Sequence, residues 1–261
     1  MSNMTNRISD SQFAEIAKQK YETEKLNKIP GVVIDLPSKG LVYPKSSVLR
    51  NGSVEIRYMT AYDEDILTNK NYIDNGILFE KLLESVIITP GVQVKELIDA
   101  DKEWLIIMIR ATSYEAEYPV SVTTPDDQTI TANVNLYNLK FKSFTLQSDD
   151  AGLFEFKTNS RDILKFRFIP SSLMKTIPTD HAISYILNNT IMQVNDITDK
   201  SKISEWIRFE FLRKDSSEFR KYMQLHVPKI NLEYEFTYTT QEGKQESFLA
   251  GFQIGSDFFW L

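Results

Sequence analysis

Glu117-Tyr118-Pro119-Val120-Ser121-Val122-Thr123-Thr124 is echoed later in the chain by Glu233-Tyr234-Glu235-Phe236-Thr237-Tyr238-Thr239-Thr240. Both stretches alternate at the period of two that a half-buried strand requires, because successive side chains leave opposite faces. Each runs into a polar turn, Thr124-Pro125-Asp126-Asp127 or Gln241-Glu242-Gly243-Lys244, and then into a second strand. Self-similarity of this kind points to a chain built as two related units.

Working outward from the first strand pair, helices precede it. Lys102 to Arg110 is apolar nearly all round and reads as the buried centre of the first unit. Leu78, Phe79, Leu82, Leu83 and Val86 repeat at helical spacing before Pro90. Thr60 with Asp63 caps a further helix, and the acidic run Asp63-Glu64-Asp65 suits a helix N-terminus. Upstream, Val48 to Arg57 reads as a hairpin turning at Asn51-Gly52, and Ile29 to Pro44 is extended and broken by Pro and Gly.

The second half follows the same order. Phe154-Glu155-Phe156 and Ile163 to Phe168 alternate as strands, and Ile183, Ile186, Leu187, Thr190, Ile191 and Val194 form a helical stripe after a Thr179 cap. Ile203, Trp206, Ile207 and Phe211 begin another helix, in which Glu205-Trp206-Ile207 matches Glu103-Trp104-Leu105. A last strand pair spans Leu232 to about Phe252. The offset drifts, from 110 (Arg57 to Arg167) to 102 (Trp104 to Trp206) to 116 (Glu117 to Glu233), so duplication requires an insertion around Asp215 to Lys229. The expected architecture is α+β: an N-terminal helical arm over 1–29, a hairpin-helix-hairpin unit over 30–145, and a related unit over 146–261.

Composition narrows the chemistry. The 261 residues carry a net charge of −6 and no cysteine, which excludes disulfides, thiolate metal sites and cysteine nucleophiles. Phosphate binding is largely neutralisation by Lys and Arg, so the acidic balance argues against nucleic acid as the main partner. The longest strongly apolar run, Trp104 to Ile109, is too short to span a bilayer, and the polar start lacks the apolar core of a signal peptide. A soluble protein is expected. His181 and His226 are the only histidines; no motif completes a catalytic set around them, and they supply too few ligands for a metal centre. His226 reads as a strand or loop residue. The acidic pairs Asp126-Asp127 and Asp149-Asp150 sit where Asp is favoured in turns. With nine glycines and no phosphate-binding loop, nucleotide cofactors are not expected.

The chain ends on Asp257-Phe258-Phe259-Trp260-Leu261, an apolar close where termini are usually polar. These residues either dock in the protein's own core or anchor another subunit, since aromatic clusters dominate interface energetics. Phe258, Phe259, Trp260 and Leu261 are therefore candidate partner contacts. Phe13, Ile16 and Tyr21, on one face of the N-terminal arm, are the others.

Leu36-Pro37-Ser38-Lys39-Gly40-Leu41-Val42-Tyr43-Pro44, then Ile56-Arg57-Tyr58-Met59-Thr60-Ala61-Tyr62-Asp63-Glu64-Asp65-Ile66-Leu67, then Arg110-Ala111-Thr112-Ser113-Tyr114, then Asp257-Phe258-Phe259-Trp260 carry a family likeness in their order and spacing. From about residue 30 to the end the chain resembles the baseplate hub proteins of T-even-type contractile-tailed bacteriophages. The resemblance implies a non-enzymatic role in the hub, as a permanent subunit or a transient assembly chaperone, with other baseplate proteins as partners and oligomerisation within the hub open. It implies action in the host cytoplasm during assembly and a place in the virion tail. Where the resemblance implies Cys-x-x-Cys knuckles in the strand-pair turns, this chain has none. Its turns hold no metal, and their folding rests on cross-strand pairs such as Val120, Val122, Phe236 and Tyr238. A cell-wall hydrolase and a nucleic-acid-binding module are the alternatives from other classes.

Overall fold

A computed structural model describes residues 29–255 and 257–260. Strand β1 (Gly31–Asp35) pairs antiparallel with β2 (Ser53–Arg57), Val32 facing Ile56 and Ile34 facing Val54. The partner of β2 is thus the early Gly-Val-Val-Ile-Asp stretch, which corrects the expected Val48–Arg57 hairpin. Val48–Asn51 instead forms a 3-10 turn capped by the Ser47 hydroxyl, and it ends at Gly52 with φ +77°. An Asn-Gly pair serves a helix end as readily as a hairpin, because glycine takes the left-handed position at either. Packing decides between them: Leu49 is buried, and Gly52 lies so close to the Lys39 backbone that an added Cβ would come within 2.8 Å of its carbonyl oxygen.

Helix α1 (Ala61–Leu67) starts with the expected Thr60–Asp63 capping box. After α2 (Lys70–Asp74), α3 (Leu78–Val86) buries Leu78, Leu82, Leu83 and Val86 on one stripe. Helix α4 (Asp99–Ser113) is buried on nearly all sides from Ala100 to Ala111, as its unbroken apolar run requires. Two polar ties fix this half. Asp101 of α4 accepts from the Ser38 amide (2.9 Å), the Ser38 hydroxyl (2.6 Å) and the Tyr43 hydroxyl (2.7 Å), fastening the Pro-rich loop. Arg57 of β2 grips Asp63 of α1 with two bonds of 2.7 and 2.9 Å, and Ser85 of α3 donates to the same carboxylate.

Strands β3 (Glu117–Thr123) and β4 (Thr129–Asn135) form the first closing hairpin. Next comes β5 (Lys140–Phe141). The second half contains a three-stranded antiparallel sheet of β6 (Phe154–Lys157), β7 (Ile163–Phe166) and β8 (Ile191–Val194). Helix α5 (Ser171–Met174) bonds back to the first half through the Ser171 amide and the Leu97 carbonyl, and around the sheet lie α6 (Ala182–Thr190), α7 (Lys200–Phe209) and α8 (Arg213–His226). Strand β9 (Ile230–Asn231) pairs back to β5, and β10 (Glu233–Thr239) with β11 (Gln245–Gly251) makes the second closing hairpin. The fold is α+β.

Three expectations in this half are corrected. The helical stripe stops at Thr190: Ile191 and Val194 belong to β8, because the free edge of β7 takes up their backbone groups. The residue before α6 is His181 with φ +64°, not Thr179. His226, expected in a strand or loop, closes α8, its ring nitrogen Nδ1 2.7 Å from the Tyr222 carbonyl.

The two closing hairpins match bond for bond. Their registers are related by a constant shift of 116 residues, Thr123↔Thr129 against Thr239↔Gln245 and Glu117↔Asn135 against Glu233↔Gly251. In each turn a threonine amide donates to the carbonyl four residues on (2.8 Å in both), and its carbonyl accepts from a left-handed residue, Asp127 or Gly243. Hydroxyl pairs recur across the strands, Ser121 with Thr131 at 3.2 Å and Thr237 with Ser247 at 3.3 Å. Isolated two-stranded hairpins are marginal in water, and these lie against one another, with Gln128 Nε2 reaching the Thr239 carbonyl. A single cluster of buried apolar residues runs through both halves, from Ile34 to Phe259.

Candidate functional site

Of the four stretches that carry the family likeness, Arg110 to Tyr114 meets the C-terminal segment directly, Ile56 to Leu67 is tied to it through Ser113, and Leu36 to Pro44 is fastened to Asp101 near the other end of α4. Phe258 donates its amide to the Gly255 carbonyl (3.1 Å) and Trp260 to that of Asp257 (2.8 Å), so the tail closes on itself as a tight turn. That turn places Phe258 and Phe259 edge to face, 5.6 Å between ring centroids. Phe258 packs tilted against Tyr118 of β3, 4.8 Å between centroids, while Phe259 sits 6.1 Å from both Phe79 of α3 and Tyr114. Both phenylalanines are buried, at 0% and 2% exposure.

Arg110 is the clamp. It lies in the buried helix α4 and is itself fully buried. Its Nε donates to the Phe258 carbonyl (3.2 Å), its Nη1 donates to the Glu115 carbonyl (3.2 Å), and its guanidinium lies over the rings of Tyr114 (4.8 Å) and Tyr118 (5.7 Å). No carboxylate among the described residues pairs with it, and Nη2 has no partner there. Burial pulls its pKa below the ordinary arginine value, opposed by Tyr114, Tyr118 and Glu115; with so high a starting value the cation persists. Ring faces and carbonyl oxygens replace water around it, the environment a weakly hydrated guanidinium tolerates best. Burial in turn raises the Tyr114 and Tyr118 hydroxyl pKa values.

The Ile56 to Leu67 stretch adjoins this socket through Ser113. Ser113 accepts from the Met59 amide at 3.1 Å, tying the end of α4 to the chain entering α1. Asp63 beneath it is locked by Arg57. Burial alone would raise the Asp63 carboxyl, but bonds from Arg57, Ser85 and Thr60 outweigh it and hold the group below the ordinary carboxylate range. A carboxylate committed in this way is not a free acid or base. The turn acids are likewise engaged: Asp126 accepts from Thr124 and Gln128, and Asp149 from the Ala151 and Leu153 amides. Among the described residues no three of His, Cys, Asp and Glu stand together as a metal would need. No helix among them is long and apolar enough to cross a membrane.

What the socket leaves outside is Trp260, 42% exposed on a turn whose two preceding rings are buried. Of the candidate contacts, Phe258 and Phe259 are thus placed in the protein's own core and Trp260 on its surface. Phe13, Ile16, Tyr21 and Leu261 lie outside the described residues. The chain around Arg110 gives it no role by itself; its one signal there is a cation closing an otherwise apolar helix run.

Such a socket, aromatic and carbonyl-lined and holding a tail rather than a substrate, defines a packing device. A family model described as T4 bacteriophage base plate protein matches residues 31–260. The chain belongs to that family and is a phage baseplate protein. No curated protein and no solved structure matches it significantly.

Proposed function

We propose that this chain acts in the hub of the baseplate, as a subunit or an assembly factor, through protein contacts and without catalysis. The observation that carries the reading is Trp260: an indole half out of the surface, on a turn anchored by Phe258, Phe259 and Arg110. A rigidly mounted tryptophan loses little side-chain entropy on binding and supplies a large contact area, which is how interface hot spots work. Phe13, Ile16 and Tyr21 on the N-terminal arm, with Leu261, are further contacts in this proposal. The partners are other baseplate proteins, met in the host cytoplasm during tail assembly. We also infer that 30–145 and 146–261 are related units, a reading supported by the matched closing hairpins.

Quantitative mass spectrometry of purified tail intermediates and virions tests the role. A fixed small copy number in virions is the result for a structural subunit. Presence in intermediates with absence from virions is the result for an assembly factor. Absence from both refutes the proposal.

A further inference from the structure

Helix α8 ends at His226, and the chain turns through Val227 and Pro228 into β9. That junction leaves an open cleft of about 540 Å³ lined by Lys142, Lys221, Gln224, Leu225, Val227 and Lys229. A second hollow of about 390 Å³ continues along β9, sharing Lys142 and Lys229 and bounded by Glu233. Lys221, Gln224 and Leu225 share one face of α8, being three and four residues apart. Lys142 reaches across to donate to the Leu225 carbonyl, satisfying one of the acceptors a helix end leaves open. Among the described residues none of the three lysines is ion-paired with a carboxylate. Leu225 stands among them 62% exposed.

We propose that this cleft docks an acidic, leucine-bearing segment of a partner protein. The inference rests on the protein-binding reading above and adds to it a second surface, sharing no residue with the tail socket. Three ammonium groups gathered in one concavity of a chain with net charge −6 form a local positive field that carboxylates complement. An exposed Leu225 at its centre adds an apolar contact that a phosphate backbone cannot supply. Glu233 at one end and the overall negative charge disfavour a polyanion long enough to leave the cleft.

The test uses the full chain and fluorescence anisotropy. The probes are a labelled peptide of alternating Glu and Leu, its Gln-for-Glu counterpart, and a single-stranded oligothymidylate. The comparison protein is the double variant Lys221→Glu, Lys229→Glu, with Lys221→Gln, Lys229→Gln in reserve should circular dichroism show the first unfolded. The expected result is salt-sensitive binding of the Glu peptide, about tenfold weaker in the charge-reversed variant on the scale of two exposed ion pairs, and weaker binding of the Gln peptide. No binding of the Glu peptide, equal binding by the variant, or tighter binding of the oligothymidylate would overturn the proposal. Co-purification with tail intermediates separates this proposal from the broader one. If the lysine variant enters intermediates at the wild-type level while Trp260→Ala does not, the cleft proposal fails and the anchor stands. If the wild type enters none yet binds the Glu peptide through these lysines, the assembly role fails and the acid-binding cleft stands.

Discussion

Replacing Phe258 with alanine removes the ring at the centre of the tail socket and nothing else. The backbone carbonyl that Arg110 grips stays in place, so the loss is confined to packing. Phe258 is fully buried, tilted against Tyr118 at 4.8 Å and edge to face with Phe259 at 5.6 Å. Truncating such a phenylalanine costs about 3–5 kcal/mol, transfer energy plus the cavity left behind. For a chain of this size each kcal/mol moves the melting temperature by about 2–4 °C, so Phe258→Ala should melt roughly 6–20 °C below the wild type. Trp260 keeps 42% of its surface exposed, and the same reasoning gives its truncation about 1–2 kcal/mol, a fall of roughly 2–8 °C. Measured by far-ultraviolet circular dichroism, the two variants should rank in that order. Below its melting point, Trp260→Ala should lose partner affinity by about thirtyfold, the scale of a hot-spot tryptophan. Phe258→Ala melting within about 2 °C of the wild type would refute the buried docking of the tail. Trp260→Ala melting as low as Phe258→Ala would make the indole a core residue and remove the anchor.

Two further substitutions probe the first half of the fold. Arg57→Met strands the Asp63 carboxylate in a buried site and should cost about 3–5 kcal/mol near neutral pH. The Asp63 pKa is depressed in the folded state, so its stabilisation is present above the unfolded value of about 4 and lost as pH falls through the folded one. The gap between wild type and Arg57→Met in urea titrations should accordingly narrow in that acid window, and a constant gap from pH 7 to pH 2 would contradict the ion-pair account. Gly52→Ala should cost about 1–2 kcal/mol from its left-handed backbone alone, with more from the contact with Lys39. An unchanged urea midpoint would refute both the left-handed conformation at Gly52 and its close approach to Lys39.

The strand alternation of Glu117 to Thr123 and Glu233 to Thr239, the helical stripe of Leu78 to Val86 and the Thr60–Asp63 capping box were all legible in the chain. Each depends on neighbours within a few residues, where period and side-chain chemistry act directly. The α+β class and the baseplate family followed from those local signals and from the order of four short motifs.

Other features waited on the tertiary structure. Asn51-Gly52 suits a hairpin or a helix end equally, and only the pairing of β2 with Gly31–Asp35 chose between them. Ile191 to Val194 continue a helical stripe, yet the open edge of β7 made them a strand. The role of Arg110 could not be read from its own helix, because its partners are the Phe258 carbonyl 148 residues away and two tyrosine rings. The same holds for the tail: sequence showed that Phe258 to Trp260 are apolar, and the cavity between α3, α4 and β3 decided that two rings go in and one indole stays out. Local propensity is written residue by residue. Which surfaces are left to meet is fixed by the packing of the whole chain, since burial rewards only the contacts that the finished core makes available.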